Sequence, residues 1–395
     1  MLGREIVPGV HAVGAVDWDR RLFDELIPLP NGTTYNAYLI KGSEKTALID
    51  TVDPSKKEEL LRNLRKLEVR RLDYVVANHA EQDHSGSLPE VLAAYPEALV
   101  VTNAKCKALL IDHLHLPEDR FVVVEDEETL SLGDKTLVFK MAPWVHWPET
   151  MFTYLVEDKI LFPCDFLGSH FATSELFAAQ EQEIYLAAKR YYAEIMMPFR
   201  SHVQKHLERV EKLPLAFIAP SHGPVYHHPE FILSAYRDWS SDRVKNEALI
   251  VYVSMHDSTA QMVEHLAEAL IDQGVKVTPF NLTFTDLGEL AMALVDAATV
   301  VLGTPTVLGG PHPSALYAAY LVGALRPKTR LAGLIGSYGW GGRTVEMVSE
   351  LLKPLRAELL EPVLVKGLPR EEDLKKLEEM AKVIAQRHRE WELLT

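Results

Sequence analysis

The sequence predicts an α/β protein in two parts, an α/β sandwich followed by a doubly wound parallel sheet. Three observations carry this. Short apolar, β-branched runs alternate with charged helical patterns through the first half. After a polar joint, RDWSSDRVKN, the pattern turns into regular strand–helix repeats. The segments that follow the apolar runs hold the densest groups of histidine, carboxylate and glycine, as expected where loops open at strand C-termini.

In the first part, TTYNAYLIKG and KTALIDTV read as paired strands around the turn Gly42-Ser43-Glu44, and Lys56 to Leu67 has helical spacing. Asp73 to Asn78, Ala98 to Thr102, Lys159 to Phe162 and Ala216 to Ala219 are short and apolar enough for buried strands. Ile232 to Asn246 reads as a helix running into the joint. In the second part the expected strands are Ala248 to Ser254, Lys276 to Leu282, Thr299 to Thr304, Leu331 to Ser337 and Leu359 to Leu364. Helices are expected between them, for example Thr259 to Asp272 and Arg343 to Leu352, and an amphipathic helix from Glu371 to Leu394 closes the chain. The expected domains are residues 1–246 and 247–395, a division that suits a chain of 395 residues.

Composition excludes several classes. A net charge of -15 repels phosphate backbones, so nucleic acid is a poor partner. Two cysteines, Cys106 and Cys164, stand far apart, which excludes a disulfide framework and a cysteine-built zinc or iron–sulfur site. The N-terminal stretch MLGREIVPGVHAVGAVDWDR lacks the apolar core of a signal peptide, and no run is long enough to span a bilayer. The expectation is a soluble, cytoplasmic protein without a membrane partner.

The segment VVANHAEQDHSGS places His79, Glu81, Asp83 and His84 directly after an apolar strand. Neutral imidazoles and anionic oxygens together suit iron, manganese or zinc. Three further candidates follow apolar runs: His146 in APWVHWPE, Asp165 after ILFPC and His222 in APSHGP. One such histidine alone reads as a hydrogen-bonded structural residue; the set in this order points to a metal site. Trp144 and Trp147 flank His146 as expected walls of the site.

Three loops in the second part suit a planar, phosphorylated ligand. The loop Ser254-Met255-His256-Asp257-Ser258-Thr259 puts hydroxyls at the start of a helix, where backbone N–H groups and the dipole favour an anion. Read alone, it fits a helix cap equally well. Asp257 is expected to face outward or cap the helix. GTPTVLGGPHP contributes Thr304, Pro305, Thr306, Val307 and Gly309, and GSYGWGGRT contributes Ser337, Tyr338, Gly339, Trp340, Gly341 and Gly342. Glycine admits close backbone approach, and Tyr338 and Trp340 offer aromatic faces.

The histidine–carboxylate order resembles the metallo-β-lactamase superfamily, whose signature is H-x-H-x-D-H followed by a later His, Asp and His. Here Glu81 replaces the second histidine, and this H-x-E-x-D-H version resembles the flavodiiron (A-type flavoprotein) family. The resemblance implies a metallo-β-lactamase-like αββα sandwich followed by a flavodoxin-like sheet, and two iron ions and one FMN per chain. His79, Glu81 and His146 would hold one iron, Asp83, His84 and His222 the other, and Asp165 would bridge; His84 would either ligate or stand beside the metal. His170 and Tyr192 would lie near the metals as proton or hydrogen-bond donors, with core packing as the other reading. The Ser254–Thr259 loop would bind the FMN phosphate and the two glycine-rich loops its ring.

The resemblance also implies reduction of O2 to water and/or NO to N2O. Electrons would come from a separate rubredoxin or flavoprotein reductase, since no cysteine pairs for an appended rubredoxin exist. It implies a head-to-tail homodimer, or a dimer of such dimers, in which the flavin of one chain meets the irons of the other. Two rivals are a zinc-dependent hydrolase of the same fold, against which Glu81 and the flavin loops count, and an electron-transfer flavoprotein without metals, against which the intact ligand set counts.

Overall fold

The computed structural model describes residues 3–179 and 181–394. The chain divides into two compact units, Met1–Ser240 and Ser241–Thr395. The joint is shorter than the sequence suggests, because the first strand of the second unit already begins at Lys245. Among the described residues no helix is long and apolar enough to cross a membrane.

The first unit is built on two large sheets, with two small two-stranded ones beside them. One has seven strands in the order Arg4–Val7, Val10–Ala12, Tyr38–Lys41, Thr46–Ile49, Tyr74–Val76, Leu99–Thr102 and Phe121–Val123. The other has five: Thr129–Ser131, Thr136–Met141, Met151–Leu155, Ile160–Phe162 and Phe217–Ile218. The period-two alternation of the strands decides which core each side chain joins. Ile40, Ile49, Val76 and Val101 pack with Phe139, Met151, Leu155 and Phe162 between the sheets. Their neighbours Leu39, Leu48, Val75 and Val100 pack outward with Leu60, Leu64, Leu88, Val91 and Leu110 from the helices. Phe152 and Phe166 meet His206 and Tyr236 of the helices Arg200–Val210 and Pro229–Ser240 on the far face of the second sheet. The result is an αββα sandwich.

Local chemistry explains the elements. The helix Lys57–Lys66 is preceded by Asp53, whose side chain accepts from Ser55 N at 2.8 Å. Glu58 and Glu59 begin it and Arg65 and Lys66 end it, which suits its dipole. Leu60 and Leu64, one turn apart, are buried. The expected hairpin forms with Tyr38 opposite Ile49 and Lys41 opposite Thr46. Thr33–Tyr35 departs from it and pairs instead with Ala15–Asp17.

The second unit is a parallel sheet. Lys276–Asn281, Lys245–Tyr252, Ala297–Val307 and Leu331–Tyr338 lie side by side, and two short strands, Glu358–Leu359 and Val363–Lys366, share the outer edge of the last. The order 2-1-3-4-5 is the doubly wound arrangement with its ligand crevice at strand C-termini. The strand expected over Leu359 to Leu364 is thus broken, and its break contains Pro362, which has no N–H for a ladder. Gly336 permits the close strand pairing here, since a Cβ there would meet Thr304 O at 2.1 Å. The helix Glu371–Glu390 buries Leu377, Met380, Ala381, Ile384 and Ala385 against Met262, Val263, Leu266 and Leu270 of Ser258–Asp272.

Candidate metal centre

Strand direction gathers the candidate ligands. Tyr74–Val76 runs parallel to its neighbours, and its C-terminal end leads into His79 and the short helix Gln82–Ser85 that carries Asp83 and His84. In the second sheet, Thr136–Met141 and Ile160–Phe162 are each antiparallel to Met151–Leu155, and Phe217–Ile218 is parallel to Ile160–Phe162. Three strands therefore end at one edge, and His146, Asp165 and His222 follow those ends.

The seven side chains form one cluster. Donor atoms of His79, Glu81, His146 and Asp165 lie within 4.8 Å of one another, as do those of Asp83, His84 and His222. Asp165 lies between the two groups. Its Oδ2 is 3.6 Å from His79 Nε2 and 3.5 Å from His146 Nε2, while its Oδ1 is 2.9 Å from His84 Nε2 and 3.4 Å from His222 Nε2. Glu81 Oε2 is 3.1 Å from His79 Nε2 and 3.2 Å from His146 Nε2. Asp83 Oδ2 is 3.1 Å from His222 Nε2. His84 thus aims its Nε2 into the cluster with the rest.

These groups fit a pair of cations. Both oxygens of Asp83 and Nε2 of His222 are buried without a hydrogen bond. Buried polar atoms left in this way are costly unless another partner takes their lone pairs. Three carboxylates and four imidazoles with Nε2 converging supply a hard, mixed donor set. Cys164 Sγ also approaches, 3.8 Å from Asp165 Oδ2. Burial, and then the charge of Asp165, push its thiol well above the ordinary range, so it stays protonated and is a poor ligand.

The charges are mutually dependent. Burial opposes ionisation of His79, but hydrogen bonds to Glu149 and Glu81 outweigh it and hold its pKa well up. Against the same penalty, the negative carboxylates that face them raise His146 to about 9 and His222 to about 10. Asp165 goes the other way: burial would raise it, yet the surrounding histidines hold it well below the usual carboxylate range. His170 is pushed well down, chiefly by burial and then by the charge of His222, so its imidazole is neutral.

Residues around the cluster differ in part from expectation. His170 lies beside it, its ring 4.7 Å from that of His222 and its Nδ1 2.9 Å from Thr33 Oγ1. The tyrosine at the cluster is Tyr191, whose hydroxyl donates to Asp165 Oδ1 at 2.8 Å. Tyr192, the one singled out from sequence, packs its ring against Tyr236 and Trp239, 5.3 Å and 5.5 Å away. One residue along a helix turns the side chain by about 100°, and the turn here widens into the π-helix Tyr192–Met196. Trp147 walls the site, edge-on to His79 at 4.9 Å, whereas Trp144 is half-exposed and stacks on Phe199. Sequence reasoning missed Phe23, 5.0 Å from the His170 ring, and Glu149, whose Oε1 is 2.7 Å from His79 Nδ1. The only sequence signal for Glu149 is its nearness to His146.

In the second unit a cavity of about 290 Å³ opens where three loops meet. Ser254, Met255, His256, Ser258, Thr259, Pro305, Thr306, Ser337, Tyr338, Gly339 and Trp340 line it, and Gly367, missed in the sequence, completes it. Asp257 faces solvent and makes no cap bond with its side chain. Thr304, Val307, Gly309, Gly341 and Gly342 do not line the cavity. Thr304 is buried with its hydroxyl on Pro305 O, Val307 pairs with Gly310, and Gly342 packs on Thr306 and Gly309. A helix start whose N-cap residue, Asp257, makes no side-chain bond, beside the hydroxyls of Ser254 and Ser258, suits a phosphate, and Tyr338 and Trp340 suit a flat ring.

Fold and cluster together define a metallo-β-lactamase-type sandwich joined to a flavodoxin-type sheet. Residues 33–223 match the model of the ODP family beta lactamase. A nitric oxide reductase of Moorella thermoacetica is 38% identical over 97% of this chain and 98% of its own. The rubredoxin oxygen:oxidoreductase of Desulfovibrio gigas superposes with a TM-score of 0.92 at 32% identity, covering 97% of this chain and 98% of that one. The flavodiiron protein of Giardia intestinalis gives 0.90 at 29% identity, covering 97% and 96%. The chain belongs to the flavodiiron protein family.

Proposed function

We propose that this chain is a flavodiiron oxidoreductase that reduces O2 to water, NO to N2O, or both, with electrons passed through FMN from an external donor. The observation that carries the reading is one buried carboxylate placed between the two groups, Asp165, with one oxygen toward His79 and His146 and the other toward His84 and His222. The names of the relatives, nitric oxide reductase and rubredoxin oxygen:oxidoreductase, support the reaction class. Glu81 in place of an imidazole supports iron over the zinc of a hydrolase, because an added anionic oxygen favours a harder, higher-valent metal.

His79, Glu81 and His146 would hold one iron, and Asp83, His84 and His222 the other, with Asp165 bridging. Bound there, the irons and the flavin supply the electrons that reduce the diatomic molecule. The protein supplies the rest. Phe23, Trp147 and Tyr35 wall the cluster and keep bulk water from it. Tyr191 holds a proton at its hydroxyl, on Asp165 Oδ1. His170 keeps a neutral imidazole, positioned by Thr33, able to give or take a hydrogen bond.

In the second unit, the cavity at Ser254–Thr259, Pro305–Thr306 and Ser337–Trp340 would hold FMN. Leu308 is 97% exposed and Trp340 78% exposed. Large apolar side chains left in water mark an interaction surface, and they support a head-to-tail homodimer, alone or as a dimer of dimers, that brings the flavin of one protomer to the metals of its partner. Rubredoxin or a flavoprotein reductase would serve as donor, in the cytoplasm. The test is gas consumption by the reduced protein in an electrode cell. Consumption of NO or O2 that scales with bound iron supports the reading, and hydrolysis of a thioester without such consumption refutes it.

A further inference from the structure

Glu149 stands behind the metal cluster, outside the seven converging side chains. Its Oε1 is 2.7 Å from His79 Nδ1 and accepts from Ala80 N at 3.1 Å. Its side chain is fully buried. Its backbone is held as well: the carbonyl accepts from Asn103 Nδ2 at 2.6 Å, and Asn103 caps the helix Ala104–Leu114. A carboxylate is costly to bury, and this one is placed on the nitrogen of His79 that faces away from Glu81 and Asp165.

His222 and His84 are backed differently. His222 Nδ1 donates to the Thr34 carbonyl at 2.6 Å, a neutral acceptor. His84 Nδ1 is buried without a hydrogen bond. Asp50, another buried carboxylate, accepts its hydrogen bonds from Asn78 N, Asn78 Nδ2 and Ser221 Oγ. Of His79, His84 and His222, only His79 is therefore backed by a full negative charge.

We propose that Glu149 is a positioning residue that makes the two metal positions unequal. It keeps the proton of His79 on Nδ1, so that the Nε2 lone pair faces the cluster. Its charge also raises the basicity of that imidazole and tightens the position formed by His79, Glu81 and His146. The proposal rests on the reading of the cluster as a two-iron site. Outer carboxylates on metal-bound histidines contribute about 10–100-fold in metal affinity, and that effect should fall on one position alone.

The test uses the full chain, stripped of metal and titrated anaerobically with ferrous iron enriched in the Mössbauer isotope. The variants are Glu149→Gln, which keeps the shape and removes the charge, and Glu149→Asp, which keeps the charge. FMN content and melting temperature report folding separately. In Glu149→Gln one iron should bind roughly 10–100-fold more weakly, and one of two quadrupole doublets should shift while the other stays. Glu149→Asp should recover part of the lost affinity. Equal affinity in wild type and Glu149→Gln, or equal weakening of both positions, overturns the proposal. Wild-type protein that takes up no iron overturns the reading of the centre, and the proposal with it.

Discussion

Replacing Tyr191 with phenylalanine separates the observed site from the one expected on sequence alone. The Tyr191 hydroxyl donates to Asp165 Oδ1 at 2.8 Å, and both residues are buried. Burial, followed by the Asp165 charge, pushes the phenol well above its ordinary range, so it is protonated at all working pH values. Tyr191→Phe keeps the ring and deletes one donor to a charged acceptor. Such a bond contributes about 1.5–3 kcal/mol. For a unit of this size each kcal/mol moves the melting temperature by about 2–4 °C, so a loss of roughly 3–12 °C is expected. Loss of a positioned proton donor should also lower turnover by about 100-fold. The assay is melting of the metal-free protein together with NO and O2 consumption of the iron-loaded protein, with Tyr192→Phe in parallel. Tyr192→Phe should turn over within a few-fold of wild type. If Tyr191→Phe matches wild type while Tyr192→Phe loses turnover, the geometric assignment is refuted.

Other consequences follow from the same cluster and surfaces. Glu81→His restores the hydrolase-type signature and should lower the iron-to-zinc ratio of the purified protein at least about tenfold, as read by elemental analysis. In the metal-free protein, folded-state pKa values of about 9 for His146 and about 10 for His222 exceed the unfolded value. Their stabilisation is therefore full below about pH 6.5 and is lost as pH rises to 9–10. The melting temperature of the metal-free protein should fall across that window, and a flat profile would contradict the assignment of charge. Leu308→Asp places a charge on a side chain that is 97% exposed. It should shift the protein toward monomer in light scattering and slow electron transfer from flavin to iron without loss of FMN.

Much of this was legible because sequence periodicity reports burial. The strands ending at His79, Asp165 and His222 are short apolar runs, and ligand-bearing loops at strand ends follow from parallel topology. Thr136–Met141 and Met151–Leu155 were missed. The first is short and alternating among acidic turns, and the second is a wholly buried run without a helix nearby to mark it. Tyr191 and Tyr192 cannot be told apart by type, only by the rotation of the helix that carries them. Glu149 reads in the sequence as a surface acid, and its role depends on a partner 70 residues away. The flavin loops were legible as loops, but which of their glycines line the cavity depends on the hairpin Val307–Gly310, which turns Gly309 away.

The most direct test of the central claim is metal and flavin content of the purified protein, followed by NO and O2 consumption after reduction. The account predicts two irons and one FMN per chain, with consumption of at least one of the gases. Zinc without flavin, and no gas consumption on reduction, would contradict it.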